Sequence, residues 1–542
     1  MARASSRARI ALLAILSLTA VALIVVAAVY AASSDDEGTP SPVHLGPSYT
    51  EGIIGTWRRV NPLFATTEFD RDLVQLVFRG LVELGPDGSI EPGLANLPSI
   101  SDDGKRITFF LQEDLKWSDG APLTSGDIAF TIGLLQAPDF RGDGDLAQAW
   151  SGVLVETPDP ETVIVTLEQS HAPFVARFAT LGILPRHLLA NASAMEAMDD
   201  PFNSRPIGAG PFAVKRLDSD RVHLVPNPHF AGDAPEISEL KFQFFSDQLA
   251  ALNGLLAGEI DGLAVRNPLT ELETTMLSEA GFVRRFTVQR SASIVLFLNN
   301  DQTLFDDPRV RRAVSLIIDR ATLSPGQTVA STSPVAPATW GYKPEFDDPE
   351  VDFDEAQRLL SEAGWEQHGT SGILTKEGSE FRLTLRVDSD PERVAMASEA
   401  ARQLQVVGIR ANVASTSFAV LFRDFLQERN YQAAVVAWDP GADPDPYDSW
   451  HSSQMGAAGL NLANFADPVT DELISLGRTR SIEIVRLDAY RQFQERWEEM
   501  TPSIILGYST FTYLLSGDIE PSLPAVLFSL PTRFADIEHW QK

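Results

Sequence analysis

The segment from Leu115 to Ile128 constrains the fold most strongly, because it contains all the parts of a strand–turn–helix corner. A tryptophan ends an extended run and an Asp-Gly pair supplies the turn. Thr124 or Ser125 can then cap a helix that begins near Asp127. The tryptophan and the aspartate of this corner are therefore predicted to pack and to turn the chain, not to bind a ligand.

Predicted strands and helices alternate irregularly along the rest of the chain. Predicted helices cover 70–84, 127–135, 248–258, 308–320, 354–362, 391–407, 418–428 and parts of 468–500. Predicted strands cover 107–111, 162–167, 222–225, 240–245, 293–298, 381–387, 409–413 and 433–438. With no fixed-period repeat, this pattern predicts an α/β fold with mixed sheets.

The N-terminus predicts export from the cytoplasm. Arg3, Arg7 and Arg9 precede an uncharged apolar run from Ile10 to Ala32. At about 1.5 Å per residue, a helix over this run would reach roughly 34 Å, enough to cross a bilayer. The basic flank predicts a signal or anchor helix over 1–32, with the rest of the chain, after a polar tether over 33–45, on the extracytoplasmic face of the cell membrane. A possible cleavage site, Val29-Tyr30-Ala31, leaves a secretory signal open.

Composition excludes several classes of protein. The chain of 542 residues contains no cysteine, which excludes a lipoprotein anchor, structural disulfides and thiol catalysis. Its formal charge of −31, from 43 Lys and Arg against 74 Asp and Glu, disfavours a nucleic-acid partner. The motifs of common hydrolases, zinc peptidases and nucleotide-binding enzymes are missing, so we expect no enzyme activity, no cofactor and no metal site. A chain of this length predicts two or more lobes.

Further motifs lie on both sides of the Leu115–Ile128 corner, some before it and most after it. They are Asn61 to Phe64, Val77 to Val82, Gly88 to Ala95, Pro206 to Phe212, Gly258 to Gly262, Leu298 to Asn300, Val310 to Arg320, Ala356 to Trp365, and Asp443 to Tyr447 with Trp450 to Ser453 and Asn461. Together with the corner, this ordered set resembles the extracytoplasmic solute-binding proteins of the peptide/nickel ABC-transporter family, over roughly 47–510.

The resemblance implies a two-lobed, periplasmic-binding-protein-like α/β fold with mixed sheets and hinge strands, behind an N-terminal transmembrane helix. Lobe one would comprise 46–288 plus 505–542, with an extra subdomain over 80–200. Lobe two would comprise 289–504. Such proteins trap a ligand between the lobes by hinge closure.

The resemblance also implies a function. The chain would be the substrate-binding subunit of an ABC importer that captures oligopeptide-like solutes and delivers them to permease subunits with ATPases. Two alternatives stay open: a membrane-anchored solute-sensing module, and a receptor for a non-peptide solute such as a sugar or a metal chelate.

By the resemblance, ligand-binding residues are expected in the loop that follows Trp438. Peptide-binding relatives carry there an aspartate for the ligand's amino terminus, three residues after the tryptophan, where this chain has Gly441. Asp439 or Asp443 could substitute, and Asp445 follows in the same loop. The departure leaves sugars and other solutes open. Asp443 and Asp445 could instead only cap turns beside prolines.

The first strand, from Tyr49 to Gly52, is the second expected part of the site, since in relatives it lines the cleft. Glu51 could meet a cationic group of the ligand. The alternative is a solvated carboxylate at the end of the strand.

Overall fold

The structure is a computed structural model that describes residues 46–219, 221–324, 327–347, 350–367 and 372–542. The predicted signal or anchor helix over 1–32 and the tether over 33–45 lie outside these residues. In the part of the chain that the structure describes, no helix is both long enough and apolar enough to span a bilayer. Pro47–Lys542 forms one compact unit.

A twelve-stranded mixed sheet organises this unit. Its strands are Ser48–Ile54, Phe212–Leu217, Arg221–Pro226, Glu239–Phe245, Gly262–Ala264, Val283–Leu298, Thr328–Val329, Arg382–Asp388, Arg410–Thr416, Ala433–Trp438, Ser503–Ser516 and Val526–Leu527. Lobe one is the half of this sheet that contains Ser48–Ile54, together with the elements packed on it. Lobe two is the half that contains Arg382–Asp388, again with the elements packed on it.

Two long antiparallel strands, Val283–Leu298 and Ser503–Ser516, connect the two lobes. Their pairing shifts register between Gln289 and Ser293, which marks a bulge near the middle of the pair. This arrangement confirms the predicted two-lobed α/β fold with mixed sheets. The boundaries predicted at 288/289 and 504/505 both fall inside these crossing strands.

The apolar cores follow the same division. The large cluster of lobe one includes Tyr49, Phe109 and Leu240, and a smaller one packs around the helix Gln248–Leu256. In lobe two, alternate residues of Val283–Leu298 enter different clusters: Leu296 belongs to one and Phe297 to the other. Since successive residues of a strand point to opposite faces, both faces of the sheet in lobe two are covered.

Smaller sheets and the helices surround the main sheet. The four-stranded sheet consists of Ser99–Ile100, Arg106–Phe110, Thr162–Thr166 and Leu154–Asp159, and lies within the range of the predicted subdomain. Short sheets are formed by Val82–Leu84 with Ile90–Pro92, and by Glu366–Gln367, Leu374–Lys376 and Ser379–Glu380. The longer helices are Glu68–Val77, Ser125–Leu135, Gly144–Trp150, Gln248–Leu256, Glu271–Ala280, Pro308–Ile317, Phe353–Glu362, Pro391–Val406, Pro468–Thr479 and Glu483–Met500. Shorter helical segments are Phe174–Phe178, Arg186–Leu189, Ala194–Met198, Pro201–Ser204, Arg320–Leu323, Pro344–Phe346, Phe418–Val420, Leu421–Leu426, Tyr447–Trp450, Ser452–Gln454, Leu530–Phe534 and Ile537–His539.

The corner after Leu115 has the predicted structural role. Trp117 is fully buried, and Gly120 turns the chain with φ +86°. Thr124 caps the helix and forms a reciprocal capping box with Asp127, and the helix begins at Ser125, two residues earlier than predicted.

The helix predicted over 70–84 is wrong in its second half. It begins at Glu68 after a capping box between Thr67 and Asp70, and it ends at Val77. A Cβ atom on Gly80 would lie 2.5 Å from the backbone carbonyl carbon of Thr180, so the chain packs here against a neighbouring segment. The residues that follow form a strand over 82–84, which pairs with Ile90–Pro92.

Candidate ligand-binding cleft

The carboxyl ends of parallel strands meet in the cleft between the lobes. Arg382–Asp388 in lobe two and Ser48–Ile54 in lobe one each run parallel to both of their neighbours in the sheet. Loops at such edges commonly form ligand sites. Here, the loops that follow Ala264, Asp388 and Trp438 all contribute to a single cavity.

This cavity encloses about 590 Å³. Lobe one contributes the segment 265–269, and lobe two contributes Asp390, Glu392 and Arg393 together with 437–439. The crossing strands form the remaining wall. The volume lies within the range of small-molecule and peptide pockets, roughly 300–1,000 Å³.

One wall of the cavity includes an open strand edge. Arg382–Asp388 pairs with Ala433–Trp438 only as far as Val387 opposite Val435. Beyond that point the strand continues to Trp438, paired with the crossing strand on its other side alone. Ala437 is exposed on this stretch. An extended ligand can therefore pair with this backbone as an added strand.

Asp439 lies at the end of this edge with its side chain exposed to the cavity. Its Oδ1 accepts hydrogen bonds from Ser291 Oγ and from the Gly441 N–H, each at 3.0 Å. Among the described residues, no hydrogen bond reaches its Oδ2. Gly441 has φ +82°, and a Cβ atom there would meet nothing within 4 Å. The loop thus presents one carboxylate to the cleft, at position 439.

Trp438 is half-buried at the cavity wall and meets Phe297 edge to face, with ring centroids 5.9 Å apart. Trp450 lies in the core, where it stacks on Phe297 and meets Trp497 edge to face. Of the tryptophans near the loop, only Trp438 can contact a ligand in this cavity.

Asp443 is buried away from the 590 Å³ cavity. Arg486 Nη2 contacts both of its oxygens, at 2.7 and 2.8 Å. Asp445 is also buried, and Arg478 Nη1 lies 2.8 Å from its Oδ2. Both carboxylates therefore hold the loop in place through arginines.

Replacing Asp445 by asparagine is expected to change the pH dependence of stability. Burial raises the pKa of the Asp445 carboxyl to about 6, because desolvation outweighs the attraction of Arg478. The pKa of this carboxyl is higher in the folded protein than in the unfolded chain, where it is about 3.9. The neutral carboxyl therefore stabilises the folded state at low pH, and this stabilisation is lost as the pH rises through about 6. The free energy of unfolding of Asp445→Asn, relative to that of wild type, should therefore increase by about 2–3 kcal/mol between pH 4 and pH 7.5. Urea unfolding at both pH values measures the gain, and an equal difference at both would contradict the assignment.

Glu51 lies in a fully buried polar network and not at an exposed end of its strand. The hydroxyls of Tyr49 and Tyr513 donate to its Oε2 at 2.5 and 2.6 Å. The cation that it meets belongs to the protein, since Arg533 Nη2 lies 3.5 Å from Oε1. Arg533 also pairs with the buried Asp72, at 2.7 and 2.8 Å. This network ties the C-terminal segment to the first strand.

Several charged residues of the cleft were not predicted from the sequence. Arg266 from lobe one and Arg290 from the crossing strand line the cavity opposite Glu392 and Arg393 of lobe two. Burial raises the pKa of Glu392, which accepts a hydrogen bond from Ser324 Oγ at 3.0 Å. The sequence does contain a signal for Glu392 and Arg393, because they follow closely after the strand predicted over 381–387. Residues at such positions, at the edge where parallel strands end, commonly form ligand sites.

No group of three or more histidine, aspartate and glutamate side chains within the described ranges could hold a metal ion.

The sequence was compared with models of known protein families, and one of them matches. Residues 89–459, more than half of the chain, match the family model described as "Bacterial extracellular solute-binding proteins, family 5 Middle". The chain belongs to this family. As a family-5 solute-binding protein it is an extracytoplasmic protein of the peptide/nickel class, as the ordered motifs predicted.

Similar proteins cover nearly the whole length of this solute-binding protein. The oligopeptide-binding protein AppA of Bacillus subtilis (strain 168) is 25% identical over 486 residues, 88% of each chain. Protein XP55 of Streptomyces lividans is 30% identical over 458 residues, 82% of this chain and 80% of its own. The structure of B. subtilis AppA in complex with a nonapeptide matches with a TM-score of 0.64 and 24% identity, over 92% of this chain and 99% of that one. This last match shows a common fold.

Proposed function

We propose that this protein is the substrate-binding subunit of an ABC importer and captures short peptides in the cleft between its lobes. The observation that carries the proposal is the open strand edge at 437–438, inside a cavity that both lobes line. Main-chain hydrogen bonds to such an edge recognise any extended peptide, and the cavity walls then select its side chains. The names of similar proteins, among them an oligopeptide-binding protein, support the same ligand class.

Hinge closure is proposed at the bulge between Gln289 and Ser293. The two crossing strands are the continuous sheet connection between the lobes, and the pairing is irregular at this point. A bulge bends a strand locally and disrupts its ladder, so a small change in backbone angles there moves one lobe against the other. Closure then buries the ligand from both sides.

The ligand's amino terminus is proposed to pair with Asp439. Its Oδ1 is fixed by Ser291 and by the Gly441 N–H, while the rest of the carboxylate faces the cavity. Micromolar affinity requires only about −8 kcal/mol, which a few charge-assisted hydrogen bonds and side-chain contacts can supply. The neighbouring Asp443 and Asp445 serve their own arginines instead.

Membrane attachment belongs to the same proposal. The apolar segment 10–32 would hold the protein at the extracytoplasmic face of the membrane, close to permease subunits whose ATPases lie in the cytoplasm. The lobe boundaries are proposed as 46–288 plus 505–542 for lobe one, with an extra subdomain over 80–200, and 289–504 for lobe two.

Peptide binding and the role of Asp439 can be tested together. Native mass spectrometry of the full-length protein with an equimolar pool of random tetrapeptides is expected to show one-to-one peptide complexes. Titration calorimetry with a retained peptide should then show about 10–150-fold weaker binding to Asp439→Asn, since a hydrogen bond to a charged group contributes about 1.5–3 kcal/mol. N-acetylation of the peptide should weaken binding to wild type by a similar factor.

Asp488→Asn is the matched control, because Asp488 is exposed on the helix Glu483–Met500, outside the cavity. It should bind the peptide as wild type does. A lack of peptide complexes in this mixture, with complexes formed instead when the protein is offered a sugar or nickel–histidine, would contradict the proposed ligand class. Equal affinities of Asp439→Asn and wild type would contradict the proposed amine site alone.

A further inference from the structure

The proposed subdomain over 80–200 contacts lobe two at two separate places. Its residues Val82 and Val175 belong to the large apolar cluster of lobe one, so these contacts join one lobe to the other. Both contacts reach residues 439–445 of lobe two, the ligand loop, which includes Asp439.

The first contact places a guanidinium on the backbone of the ligand loop. Arg177 Nη2 donates a hydrogen bond to the Pro440 carbonyl at 3.1 Å, and its Nη1 lies 3.5 Å from Asp448 Oδ2. Pro440 lies between Asp439 and Gly441, whose N–H holds the Asp439 carboxylate. Arg177 therefore fixes the loop at the residue next to the proposed amine site.

Two further hydrogen bonds from the same part of the subdomain reach the end of a helix in lobe two. The Ala172 N–H donates to the Arg478 carbonyl at 2.8 Å, and Ser170 Oγ donates to the Thr479 carbonyl at 2.6 Å. Both carbonyls belong to the last turn of the helix Pro468–Thr479, where carbonyls have no partner within the helix. Water can replace these donors when the lobes part, so the contact can open without leaving buried polar groups unpaired.

The second contact is the close approach of a glycine turn to the ligand loop. Gly88 lies between the paired strands Val82–Leu84 and Ile90–Pro92 and has φ +82°. A Cβ atom there would lie 3.0 Å from the Ala442 carbonyl oxygen and 2.7 Å from Cζ of Phe528. The backbone of this turn therefore touches the loop with no room for a side chain.

A void remains between the subdomain and lobe two. It encloses about 250 Å³, with Ile90 and Val175 among the residues on one side and Trp340 and Arg486 on the other. Protein interiors are close-packed and contain few voids larger than a water molecule. An interface that combines polar contacts with such a void is suited to separation, as interfaces between mobile domains are.

We propose that the subdomain is a clamp on the ligand loop: Arg177 and Gly88 hold the loop when the lobes meet and release it when they part. The inference rests on the proposed peptide-binding function and gives the subdomain a role in it. Neither residue lines the 590 Å³ cavity, so both are positioning residues that act on the ligand through the loop. Because the clamp forms only on closure, it slows the release of a bound peptide.

The test measures the association and dissociation rates of a tetrapeptide that wild type retains in native mass spectrometry. Surface plasmon resonance of the full-length protein gives both rates. Arg177→Gln and Gly88→Ala should each release the peptide at least about fivefold faster, with association rates within about twofold of wild type. The peptide meets the protein while the lobes are apart, before the clamp forms, so only dissociation should change.

Arg141→Gln and Gly258→Ala are the matched controls. Arg141 is exposed on the subdomain and donates to the carbonyls of Pro138 and Phe140 in its own loop. Gly258 has a positive φ like Gly88, +71°, but a Cβ atom there would meet nothing within 4 Å. Both variants should release the peptide at the wild-type rate, and faster release from either would contradict the clamp.

The outcomes separate the clamp from the function on which it rests. If wild type binds no tetrapeptide, the proposed function fails and the clamp fails with it. If wild type binds, a wild-type dissociation rate in Arg177→Gln or Gly88→Ala overturns the clamp while peptide binding stands. Association that slows as much as dissociation accelerates overturns it too, since the residue then acts during encounter.

A second variant at each position covers loss of folding. Should Arg177→Gln unfold, Arg177→Lys replaces it, because lysine keeps the charge but loses the planar set of donors. Should Gly88→Ala unfold, Gly88→Asn replaces it, because asparagine tolerates a positive φ but still adds a Cβ atom. Each of these variants should also release the peptide faster than wild type, and a wild-type rate in either overturns the clamp.

Discussion

Replacing Arg533 by methionine is expected to lower the free energy of unfolding by about 3–5 kcal/mol. The side chain of Arg533 is 1% exposed and lies between the buried carboxylates of Asp72 and Glu51. Methionine fills much of the volume but leaves two buried carboxylates without a positive charge. Breaking a buried ion pair in this way costs far more than removing an exposed one.

The pH dependence of this loss distinguishes electrostatics from packing. Burial raises the pKa values of Glu51 and Asp72, and Arg533 lowers both. Without Arg533 these folded pKa values rise further. A carboxyl whose pKa is higher in the folded protein than in the unfolded chain, where it is about 4, stabilises the folded state at low pH. It loses this stabilising effect as the pH rises. The deficit of Arg533→Met should therefore be largest near pH 7.5 and smaller at pH 5.

Urea unfolding at pH 5 and pH 7.5 measures both effects. Arg402→Met is the control, since Arg402 is 65% exposed and pairs with Glu399 on its own helix. It should change stability by less than about 1 kcal/mol. A deficit of Arg533→Met that does not depend on pH would indicate that lost packing, not unpaired charge, destabilises the variant.

Much of the fold could be predicted from local patterns. The helix Pro391–Val406 and the strand Ala433–Trp438 were predicted to within a residue, because hydrophobic periodicity and terminal residues define them locally. The helix predicted over 70–84 was too long, since its apolar spacing continues past Val77 into a strand. Past the helix end, the Val77 carbonyl accepts a hydrogen bond from the Gly210 N–H and Gly80 packs on Thr180, contacts between distant segments that no local pattern contains.

Some parts of the candidate site could likewise be predicted from the sequence, and others could not. The loop after Trp438 was predicted from a resemblance, and the structure places Asp439 at the cavity. The surroundings of Glu51 could not be predicted, because Arg533 is 482 residues away along the chain. Arg290 was missed because a single arginine in a strand has no distinctive spacing. Its place in the wall of the cavity follows only from the folded structure.

Replacing Arg486 by methionine is the second change with a large expected effect, again about 3–5 kcal/mol. Arg486 lies on the helix Glu483–Met500, and it holds the buried Asp443 in the loop that follows Trp438. Its Nε also donates to the Gly477 carbonyl at 2.9 Å. The variant leaves Asp443 buried without its counter-charge, so the loop that carries Asp439 loses its fixed end.

A double variant tests whether the loss of stability comes from a buried charge without a partner in the Asp443–Arg486 ion pair. Replacing both partners by apolar residues, Asp443→Leu with Arg486→Met, should recover most of the lost stability, because no buried charge remains. Urea unfolding gives the stabilities, and hydrogen exchange over 439–446 reports on the loop, which should exchange faster in Arg486→Met than in wild type. Unchanged exchange together with a large loss of stability would show that Arg486 supports the helix and not the ligand loop. Faster exchange would show that this pair, outside the cavity, fixes the position of the proposed amine site.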